Sequence, residues 1–248
     1  MEGCKRWEGR TAVVTGASAG IGAAVCARLA SAGLRVVGLA RRVALVDKLK
    51  AEVKGPGTII SRQCDVSKAD DVAATFRWIE EQFGGVDVLV NNAGVFNSGN
   101  FTDLGNQRIS DEDLLATLEI NTKGTIMCAR HALDSMTKRG FAGHIININS
   151  IAGHYVPFSE GFNVYPTTKH AVTAFTQGLL NELTAFNSQI KVTSVSPGLV
   201  RTALAGALGG AAALGARDVA DAVLYALCTP PHVNISELTI SAVGDRRL

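Results

Sequence analysis

The sequence predicts a doubly wound α/β fold, in which helices cover both faces of one parallel sheet. Its 248 residues are 47% hydrophobic, and short apolar runs alternate with longer helical patterns along the whole chain. Parallel strands need crossover helices between them, and right-handed crossovers place those helices on both faces. A chain of this size and apolar content buries a full core, so we expect residues 1–248 to form a single domain.

The first strands, TAVVT at 11–15 and RVVGLA at 35–40, are rich in valine, as buried parallel strands are. The remaining apolar runs predict strands at 58–64, 86–90, 144–149, 190–196 and 237–241. Apolar residues recur at helical spacing over 20–31, 43–54, 68–83, 111–139, 165–186 and 218–227. The order predicts a Rossmann-type sheet of seven strands, whose ligands bind at the carboxyl ends of the strands near the switch in strand order.

Charge and hydropathy exclude several classes of partner. The chain has 24 Lys and Arg residues and 22 Asp and Glu residues, a net charge of +2. A nucleic-acid-binding protein usually carries a basic stripe, so no nucleic acid is expected as a partner. The longest stretch without Asp, Glu, Lys or Arg, 140–159, is interrupted by polar residues, glycine and proline and predicts no membrane span. The N-terminus lacks the apolar core of a signal peptide, so we expect a cytoplasmic protein.

The cysteines and histidines predict neither a disulfide framework nor a metal site. The five cysteines are an odd number, lie far apart and form no C-x-x-C motif: Cys4, Cys26, Cys64, Cys128 and Cys228. Cys26 and Cys128 fall in apolar helical patterns, which predicts burial. The five histidines show no ligand spacing such as H-E-x-x-H, so no metal is expected.

A glycine-rich turn, TGASAGIG at 15–22, connects the first strand to the first helix. Glycine lets a phosphate approach the backbone, and the free amides at the start of a helix attract the anion. The turn therefore predicts a phosphate site formed by Gly16, Ser18, Ala19, Gly20 and Ile21. Residues 16–20 also match G-x-S-x-G, the nucleophile turn of α/β-hydrolases, so a serine hydrolase using Ser18 is an alternative. Against it, a hydrolase turn follows several strands and this one follows the first.

The end of the second strand favours NADP(H) over NAD(H). Dinucleotide-binding folds commonly place an acidic residue there to bind the adenosine ribose. This chain has Ala40, Arg41 and Arg42 instead, and guanidinium groups bind a phosphate through charged, bidentate hydrogen bonds. After the third strand, Asp65 is predicted to accept a hydrogen bond from the adenine amino group, with Val66 beside it.

Tyr165 and Lys169 lie one helical turn apart, on one face of the predicted helix 165–186. Pro166 is tolerated only in a first turn and therefore indicates that the helix begins beside Tyr165. A free phenol is a poor base at neutral pH, and a nearby ammonium group lowers its pKa. A Tyr–Lys pair is by itself also compatible with a structural role.

Taken in order, these motifs resemble the short-chain dehydrogenases/reductases. The resemblance covers residues 10–244 and rests on the first turn and on Asn91-Asn92-Ala93-Gly94, Asn121, Ser150, Tyr165 with Lys169, and Pro197-Gly198. It implies hydride transfer between NADP(H) and a carbonyl compound or alcohol, with Tyr165 as the general acid/base. It also implies that Lys169 lowers the pKa of Tyr165 and binds the nicotinamide ribose. Ser150 would bind the carbonyl oxygen, and Asn121 would anchor a water that relays protons to Lys169.

The resemblance assigns the remaining cofactor contacts and an assembly. It implies that Asn92, Ala93 and Gly94 pack against the adenosine side of the cofactor. Four residues would contact the nicotinamide end: Pro197, Gly198, Val200 and Thr202. Helices 111–139 and 165–186 form subunit interfaces in this family, which implies a homodimer or homotetramer.

Two departures from the family concern the substrate, a small lipophilic alcohol or carbonyl compound. Ser150 and Tyr165 are farther apart than is usual, so His154, Tyr155 and Phe158 are predicted to contact the substrate. The stretch between Thr202 and Asp218 is short and consists mostly of Ala, Leu and Gly, which also suggests an apolar pocket.

Segments 163–172 and 229–240 are similar to the insect farnesol dehydrogenase group, which implies interconversion of an isoprenoid alcohol and its aldehyde. That group is similar to a vertebrate cytosolic ketosteroid and carbonyl reductase, so reduction of ketosteroids or xenobiotic carbonyls is the alternative. A catalytically idle binding subunit is a third class, against which the presence of all four catalytic residue types argues.

Overall fold

A computed structural model of the chain describes residues 2–105, 107–157, 161–205 and 212–244. The predicted doubly wound sheet is confirmed: it has seven parallel strands in the order β3-β2-β1-β4-β5-β6-β7. The strands are β1 Thr11–Thr15, β2 Arg35–Ala40, β3 Thr58–Gln63, β4 Val88–Asn91, β5 His144–Ile148, β6 Lys191–Pro197 and β7 Glu237–Ile240. Each lies within two residues of its predicted bounds.

Helices cover both faces of the sheet because successive strand residues point to opposite sides. Val14 of β1 packs in one hydrophobic cluster and its neighbour Val13 packs in the other. The first cluster includes side chains of α1, α2 and α7, and the second includes those of α3, α5 and α6. The helices are α1 Gly20–Ser31, α2 Val43–Lys48, α3 Ala69–Phe83, α4 Asp111–Leu118, α5 Thr125–Lys138, α6 Val164–Ala185 and α7 Ala216–Leu227.

Two predicted helices are interrupted. The helix predicted at 43–54 ends at Lys48 and continues as a tighter 3-10 turn, Leu49–Glu52. The helix predicted at 111–139 is divided into α4 and α5 by a wider π-helical turn, Glu119–Gly124, which contains Asn121. In this turn the backbone carbonyl of Asn121 accepts a hydrogen bond from Thr125 Oγ1 (2.9 Å). π-turns often mark functional sites, and periodicity alone does not distinguish them from a continuous α-helix.

The N-terminal segment is anchored on the side of the sheet where the strands begin, opposite to the side where they end. A 3-10 turn, Glu2–Trp7, places Trp7 so that its Nε1 donates to Leu227 O (2.9 Å). Cys4 and Cys228 form a disulfide, with Cα atoms 4.5 Å apart. The sequence pattern did not predict this bridge, because the partners are 224 residues apart and only folding brings them together. The other cysteines are free and buried, which confirms the burial predicted for Cys26 and Cys128.

Within the described residues, no helix is long and apolar enough to cross a lipid bilayer. The same part of the chain holds no group of three or more His, Cys, Asp or Glu side chains arranged to bind a metal ion.

Candidate active site

A cavity of about 450 Å³ opens where the strands end. It extends from residues that follow β2 and β3, past the turn after β1, to residues that follow β5 and β6. Strand order reverses between β1 and β4, and doubly wound proteins bind ligands at this switch point. The end of β2 is three strand spacings from the end of β5, or about 14 Å, so the cavity suits an elongated ligand.

The turn after β1 is built for a close approach of backbone to ligand. Gly16 has φ +67°, and a Cβ on it would lie 2.9 Å from Ala93 Cα. A Cβ on Gly22 would lie 2.4 Å from Gly16 O. The N-cap residue of α1, Ala19, gives the helix no side-chain hydrogen bond, so the first amides of α1 are not capped by a side chain. Uncapped amides at a helix N-terminus are a site for phosphate.

Asn92, which follows β4, holds this turn in place. Its Nδ2 donates to Thr15 O (2.9 Å) and Gly16 O (3.3 Å). Thr15 Oγ1 in return accepts from the N–H groups of Asn92 and Ala93, each at 2.9 Å. The ends of β1 and β4 are therefore locked together beside the cavity. Every residue of the predicted phosphate turn lies in the cavity wall together with Asn92, Ala93 and Gly94: Gly16, Ser18, Ala19, Gly20 and Ile21.

At the β2 end, the cavity wall carries positive charge. Ala40 is buried, and Arg41 and Arg42 line the cavity with their side chains exposed. Arg42 Nη2 donates to Ser18 Oγ (3.3 Å), which draws the guanidinium group over the phosphate turn. Among the described residues no histidine hydrogen-bonds to Ser18, and the side chain that does, Arg42, is a guanidinium group with no acceptor to take a proton.

Asp65 and Val66 also line this end. Asp65 Oδ1 accepts from the N–H (3.1 Å) and the hydroxyl (2.7 Å) of Ser67. Partial burial would raise the pKa of Asp65, but these hydrogen bonds and the charge of Arg41 outweigh it, and the net pKa is lowered. Asp65 is therefore a carboxylate at neutral pH and can accept a further hydrogen bond.

Three of the predicted catalytic residues meet at the end of β5. Ser150, Tyr165 and Lys169 all line the cavity, and a hydrogen bond connects the side chains of Ser150 and Tyr165. Lys169 is buried, and its Nζ lies 5.6 Å from the Tyr165 ring centroid and donates to Ile148 O (2.9 Å). α6 begins at Val164, where Asn163 Oδ1 accepts from Val164 N (2.7 Å). The helix start thus places Tyr165 in its first turn.

Burial determines the protonation of this group, and the predicted effect of Lys169 on the phenol stays a prediction. Burial raises the pKa of Tyr165 to about 12, and its hydrogen bond with Ser150 opposes the rise. Burial lowers the pKa of Lys169 to about 8. The reason is that desolvation is the largest effect on each group. At neutral pH the phenol therefore carries a proton that it can donate.

Asn121 lies beside these residues but is engaged differently from the expectation. Its Oδ1 accepts from Val95 N (2.8 Å), and its Nδ2 donates to Val95 O (2.9 Å) and to Thr168 Oγ1 (3.1 Å). Thr168 Oγ1 in turn donates to Tyr165 O (2.7 Å). The amide of Asn121 therefore connects the segment after β4 to the first turn of α6, and its side chain is occupied by protein groups.

The β6 end of the cavity is mostly apolar. The predicted Pro197, Gly198, Val200 and Thr202 line it, together with Leu199 and Leu204, which were not predicted. Tyr155, which is predicted to contact the substrate, lines the cavity, and Pro157 lines it as well. Phe158 lies outside the described residues. The substrate contact predicted for His154 is not supported, because its Nε2 lies 2.9 Å from Ser196 Oγ and 3.5 Å from Glu237 Oε1, away from the cavity wall.

Comparison with known proteins assigns the family. Residues 10–211 match the family model described as short chain dehydrogenase. The chain belongs to the short-chain dehydrogenase family. Its members are oxidoreductases.

This short-chain dehydrogenase is similar to animal proteins over nearly its whole length. It is 48% identical to a farnesol dehydrogenase of Aedes aegypti over 246 residues, which cover 97% of this chain and 99% of the relative. It is 42% identical to dehydrogenase/reductase SDR family member 11 of Mus musculus over 252 residues, covering 95% of each chain. Among solved structures, an alcohol dehydrogenase from the archaeon Thermococcus sibiricus, complexed with 5-hydroxy-NADP, is similar with a TM-score of 0.84. That structure is 28% identical, and the match covers 96% of this chain and 99% of the other.

Sequence reasoning missed part of the dehydrogenase site. Phe96 and Phe162 line the cavity next to Tyr165, and Val95 and Thr168 connect Asn121 to the site. Phe96 follows Asn91-Asn92-Ala93-Gly94 by two positions, so its place after a cofactor motif was an available signal. Phe162 lies three positions before Tyr165, in the segment between Ser150 and Tyr165 that is longer than usual, where Phe158 is the predicted contact.

Proposed function

We propose that this chain is an NADP-dependent oxidoreductase that interconverts a lipophilic alcohol and its carbonyl compound, as in the pair farnesol and farnesal. The observation that carries the proposal is the juxtaposition of a protonated phenol, Tyr165, with Ser150 in a cavity that is apolar on one side and cationic at its far end. For hydride transfer to a carbonyl, the protein has to provide a phenol and a hydroxyl group that both hydrogen-bond to the carbonyl oxygen.

The cavity fits a nicotinamide dinucleotide. The glycine turn and the uncapped start of α1 offer backbone amides to a pyrophosphate, and Gly16 and Gly22 leave no room for a side chain there. Asp65 can accept a hydrogen bond from adenine, and Lys169 lies near the reacting end to bind ribose hydroxyls. When bound, the cofactor supplies the hydride.

The phosphorylated form of the cofactor fits best. The end of β2 offers no carboxylate to a ribose hydroxyl, and Arg41, Arg42 and Ser18 gather where an adenosine phosphate would lie. Guanidinium groups bind phosphate bidentately, so NADP(H) gains charge-assisted hydrogen bonds that NAD(H) lacks.

The protein positions the substrate oxygen and its proton. Ser150 and Tyr165 are hydrogen-bonded to one another, so an oxygen placed between them can accept a hydrogen bond from each. In the direction of reduction, Tyr165 donates its proton to the oxygen as negative charge develops there. Oxidation reverses the transfer, and the alcohol proton passes to the phenolate.

The substrate class follows from the cavity wall and from the relatives. Leu199, Leu204, Pro157 and Phe162 line the cavity with apolar surface, which suits a hydrocarbon chain. The Aedes aegypti relative, 48% identical, is named a farnesol dehydrogenase. The same apolar wall would admit a steroid ketone, so reduction of ketosteroids is the second candidate.

A substrate panel tests the proposal. We expect NADPH oxidation, followed by absorbance, with terpenoid aldehydes such as farnesal, and weaker rates with steroid ketones and quinones. A reversed order would favour the second candidate, and absence of turnover with every carbonyl would overturn both.

Cofactor choice is tested on the arginines. Arg41→Ala and Arg42→Ala should each weaken NADPH binding by about tenfold to a hundredfold, because each removes a charged hydrogen bond. NADH binding should be unchanged. Arg77→Ala, an exposed arginine of α3 outside the cavity, is the matched control. Equal use of NADH and NADPH by the unmodified enzyme would contradict the assignment.

A homo-oligomer is also proposed, through α4, α5 and α6. On α4, Leu115 and Leu118 lie one turn apart with 57% and 37% of their surfaces exposed, as expected of residues that a second subunit covers. Gel filtration with light scattering distinguishes a dimer or tetramer from the monomer that would contradict this.

A further inference from the structure

The backbone before Phe96 is held firmly. Val95 donates its N–H to Asn121 Oδ1 (2.8 Å) and accepts from Asn121 Nδ2 (2.9 Å). Asn121 is buried, so these hydrogen bonds exchange little with water. Phe96 is the next residue, and its position relative to α6 is set because Asn121 also contacts Thr168 of that helix.

The ring of Phe96 lies against the phenol. The ring centroids of Phe96 and Tyr165 are 5.2 Å apart, and their planes meet at 87°, an edge-to-face contact. Phe162 continues the aromatic surface, with its centroid 4.9 Å from that of Phe96 and its plane tilted by 47°. All three side chains line the cavity. Aromatic rings thus form the wall beside the atom that transfers the proton.

The two rings themselves offer no hydrogen bond to a polar group. Among described residues at the β5 and β6 end of the cavity, Lys169 is the charged one, and its Nζ already donates to Ile148 O. A polar substituent packed against Phe96 and Phe162 would lose its water without gaining a partner from the rings, which is unfavourable. An apolar substituent loses nothing, and its shape then decides how well it contacts the rings.

A planar, conjugated substituent gains most from such a wall. Both saturated and unsaturated chains bury apolar area, but a conjugated π-surface can also stack against aromatic rings, as aromatic side chains do with one another. An α,β-unsaturated aldehyde is planar from the carbonyl through the adjacent double bond. The saturated aldehyde of equal length lacks both the planarity and the π-surface.

We propose that Phe96, supported by Phe162, is a specificity-determining residue that favours substrates with a conjugated, planar apolar chain on the reacting carbon. The inference rests on the proposed function, since it assumes that Tyr165 meets the substrate oxygen. It adds that the preference for allylic alcohols and their aldehydes resides in Phe96 and in the ring of Phe162 that supports it.

The test measures kcat/KM with NADPH for a long-chain 2-enal and for the saturated aldehyde with the same number of carbons. In Phe96→Leu, we expect the ratio of the two values to fall by about twofold to tenfold relative to the unmodified enzyme. Phe162→Leu should lower it in the same direction. The ratio cancels the different reactivities of the aldehydes and any displacement of Tyr165 that slows both equally. Phe101→Leu, exposed and outside the cavity, is the matched control and should leave the ratio unchanged.

The outcomes separate this inference from the proposed function. If the unmodified enzyme reduces both aldehydes and Phe96→Leu binds NADPH with an unchanged ratio, the role of Phe96 is overturned and the proposed function stands. If Phe96→Leu does not bind NADPH, Phe162→Leu decides, and an unchanged ratio there overturns the inference. If the unmodified enzyme reduces neither aldehyde, the proposed function itself fails, and this inference with it.

Discussion

Single side chains at the end of β5 set the chemistry of the site through their desolvation. Tyr165 and Lys169 share one face of α6, yet burial stabilises the neutral form of each, with the pKa of the phenol raised to about 12 and that of the amine lowered to about 8. A protonated phenol suits reduction, where the developing alkoxide needs an acid. Conversion of the phenol to a base for oxidation requires additional positive charge nearby.

Tyr165→Phe removes the proton donor while keeping the ring in its contact with Phe96. We expect kcat for carbonyl reduction to fall by about a hundredfold to ten-thousandfold, the usual contribution of a general acid. NADPH affinity, measured by fluorescence titration, should stay within about twofold. Tyr225→Phe, on the exposed surface of α7, is the control. Loss of turnover and NADPH binding together would contradict the assigned role.

Lys169→Met tests the cost of burying the ammonium group. The lowered pKa means that the unfolded chain binds this proton more tightly, so the penalty on folding is present below pH 8. It disappears as pH rises from about 8 towards 10.5, the ordinary lysine pKa. The penalty is about 3 kcal/mol. The variant also leaves Ile148 O without its donor, which costs about 1–2 kcal/mol.

We therefore expect Lys169→Met to be inactive yet about 1–2 kcal/mol more stable at pH 7, as measured by urea unfolding. The gain should vanish between about pH 9 and pH 10, because the burial penalty shrinks as the unfolded chain also loses this proton, while the hydrogen bond to Ile148 O stays lost. Lys138→Met, an exposed lysine at the end of α5, should change stability by less than about 0.5 kcal/mol. A less stable Lys169→Met variant at pH 7 would show that the ammonium group is not penalised by burial.

At the scale of elements, the π-turn between α4 and α5 brings Asn121 to the site. The π-turn has more residues per turn than an α-helix. In a regular α-helix over 111–138, the residues after Leu118 would therefore point in other directions around the helix axis. The wider turn lets the Asn121 amide face Val95 and Thr168. The segment that carries Phe96 and the helix that carries Tyr165 are consequently joined through one buried side chain.

Asn121→Ala should weaken the connection between the segment that carries Phe96 and the helix that carries Tyr165. It leaves the backbone N–H and C=O of Val95 without their Asn121 partner, while the hydroxyl of Thr168 keeps its hydrogen bond to Tyr165 O, so we expect a loss of about 2–3 kcal/mol in urea unfolding. KM for the carbonyl substrate should rise because Phe96 is less firmly placed. Asn181→Ala, exposed on α6, should be nearly neutral. Equal stability of the two variants would mean that the Asn121 hydrogen bonds contribute nothing net.

In the whole molecule, the cavity and the anchored N-terminal segment lie at opposite ends of the strands. The cavity lies where the strands end, whereas Trp7, Arg6 and the Cys4–Cys228 bridge hold the chain where they begin. A change at the anchored edge should therefore alter stability without altering catalysis.

Removal of the bridge tests this separation. With the partners 224 residues apart, loop-closure entropy predicts a loss of about 3–5 kcal/mol in the protein Cys4→Ser/Cys228→Ser. The melting temperature should fall by about 10 °C, while kcat stays within about twofold. The unmodified protein treated with a reductant should match the variant, and the variant should not respond to reductant. A reductant-insensitive unmodified protein would show that the cysteines are not bridged.

Local sequence patterns were sufficient to predict the strands, most of the helix bounds and the motifs that they carry. Hydrophobic periodicity is local, so all seven strands were predictable, and the helices were predictable apart from the turns that interrupt 43–54 and 111–139. The spacing of Tyr165, Pro166 and Lys169 located the start of α6. The glycine turn and Arg41-Arg42 could be predicted for the same reason, because each is a short segment whose chemistry depends on adjacent residues.

The tertiary structure alone decided which of these segments meet. The placement of β1 between β2 and β4 brings Asn92 onto the glycine turn, and the π-turn brings Asn121 to Val95. Phe96 came to lie beside Tyr165, and His154, predicted to touch substrate, turned to Ser196 and Glu237. Such contacts depend on how elements that are far apart in the chain pack together. Neither the hydrophobic periodicity nor the local spacing of residues contains this information.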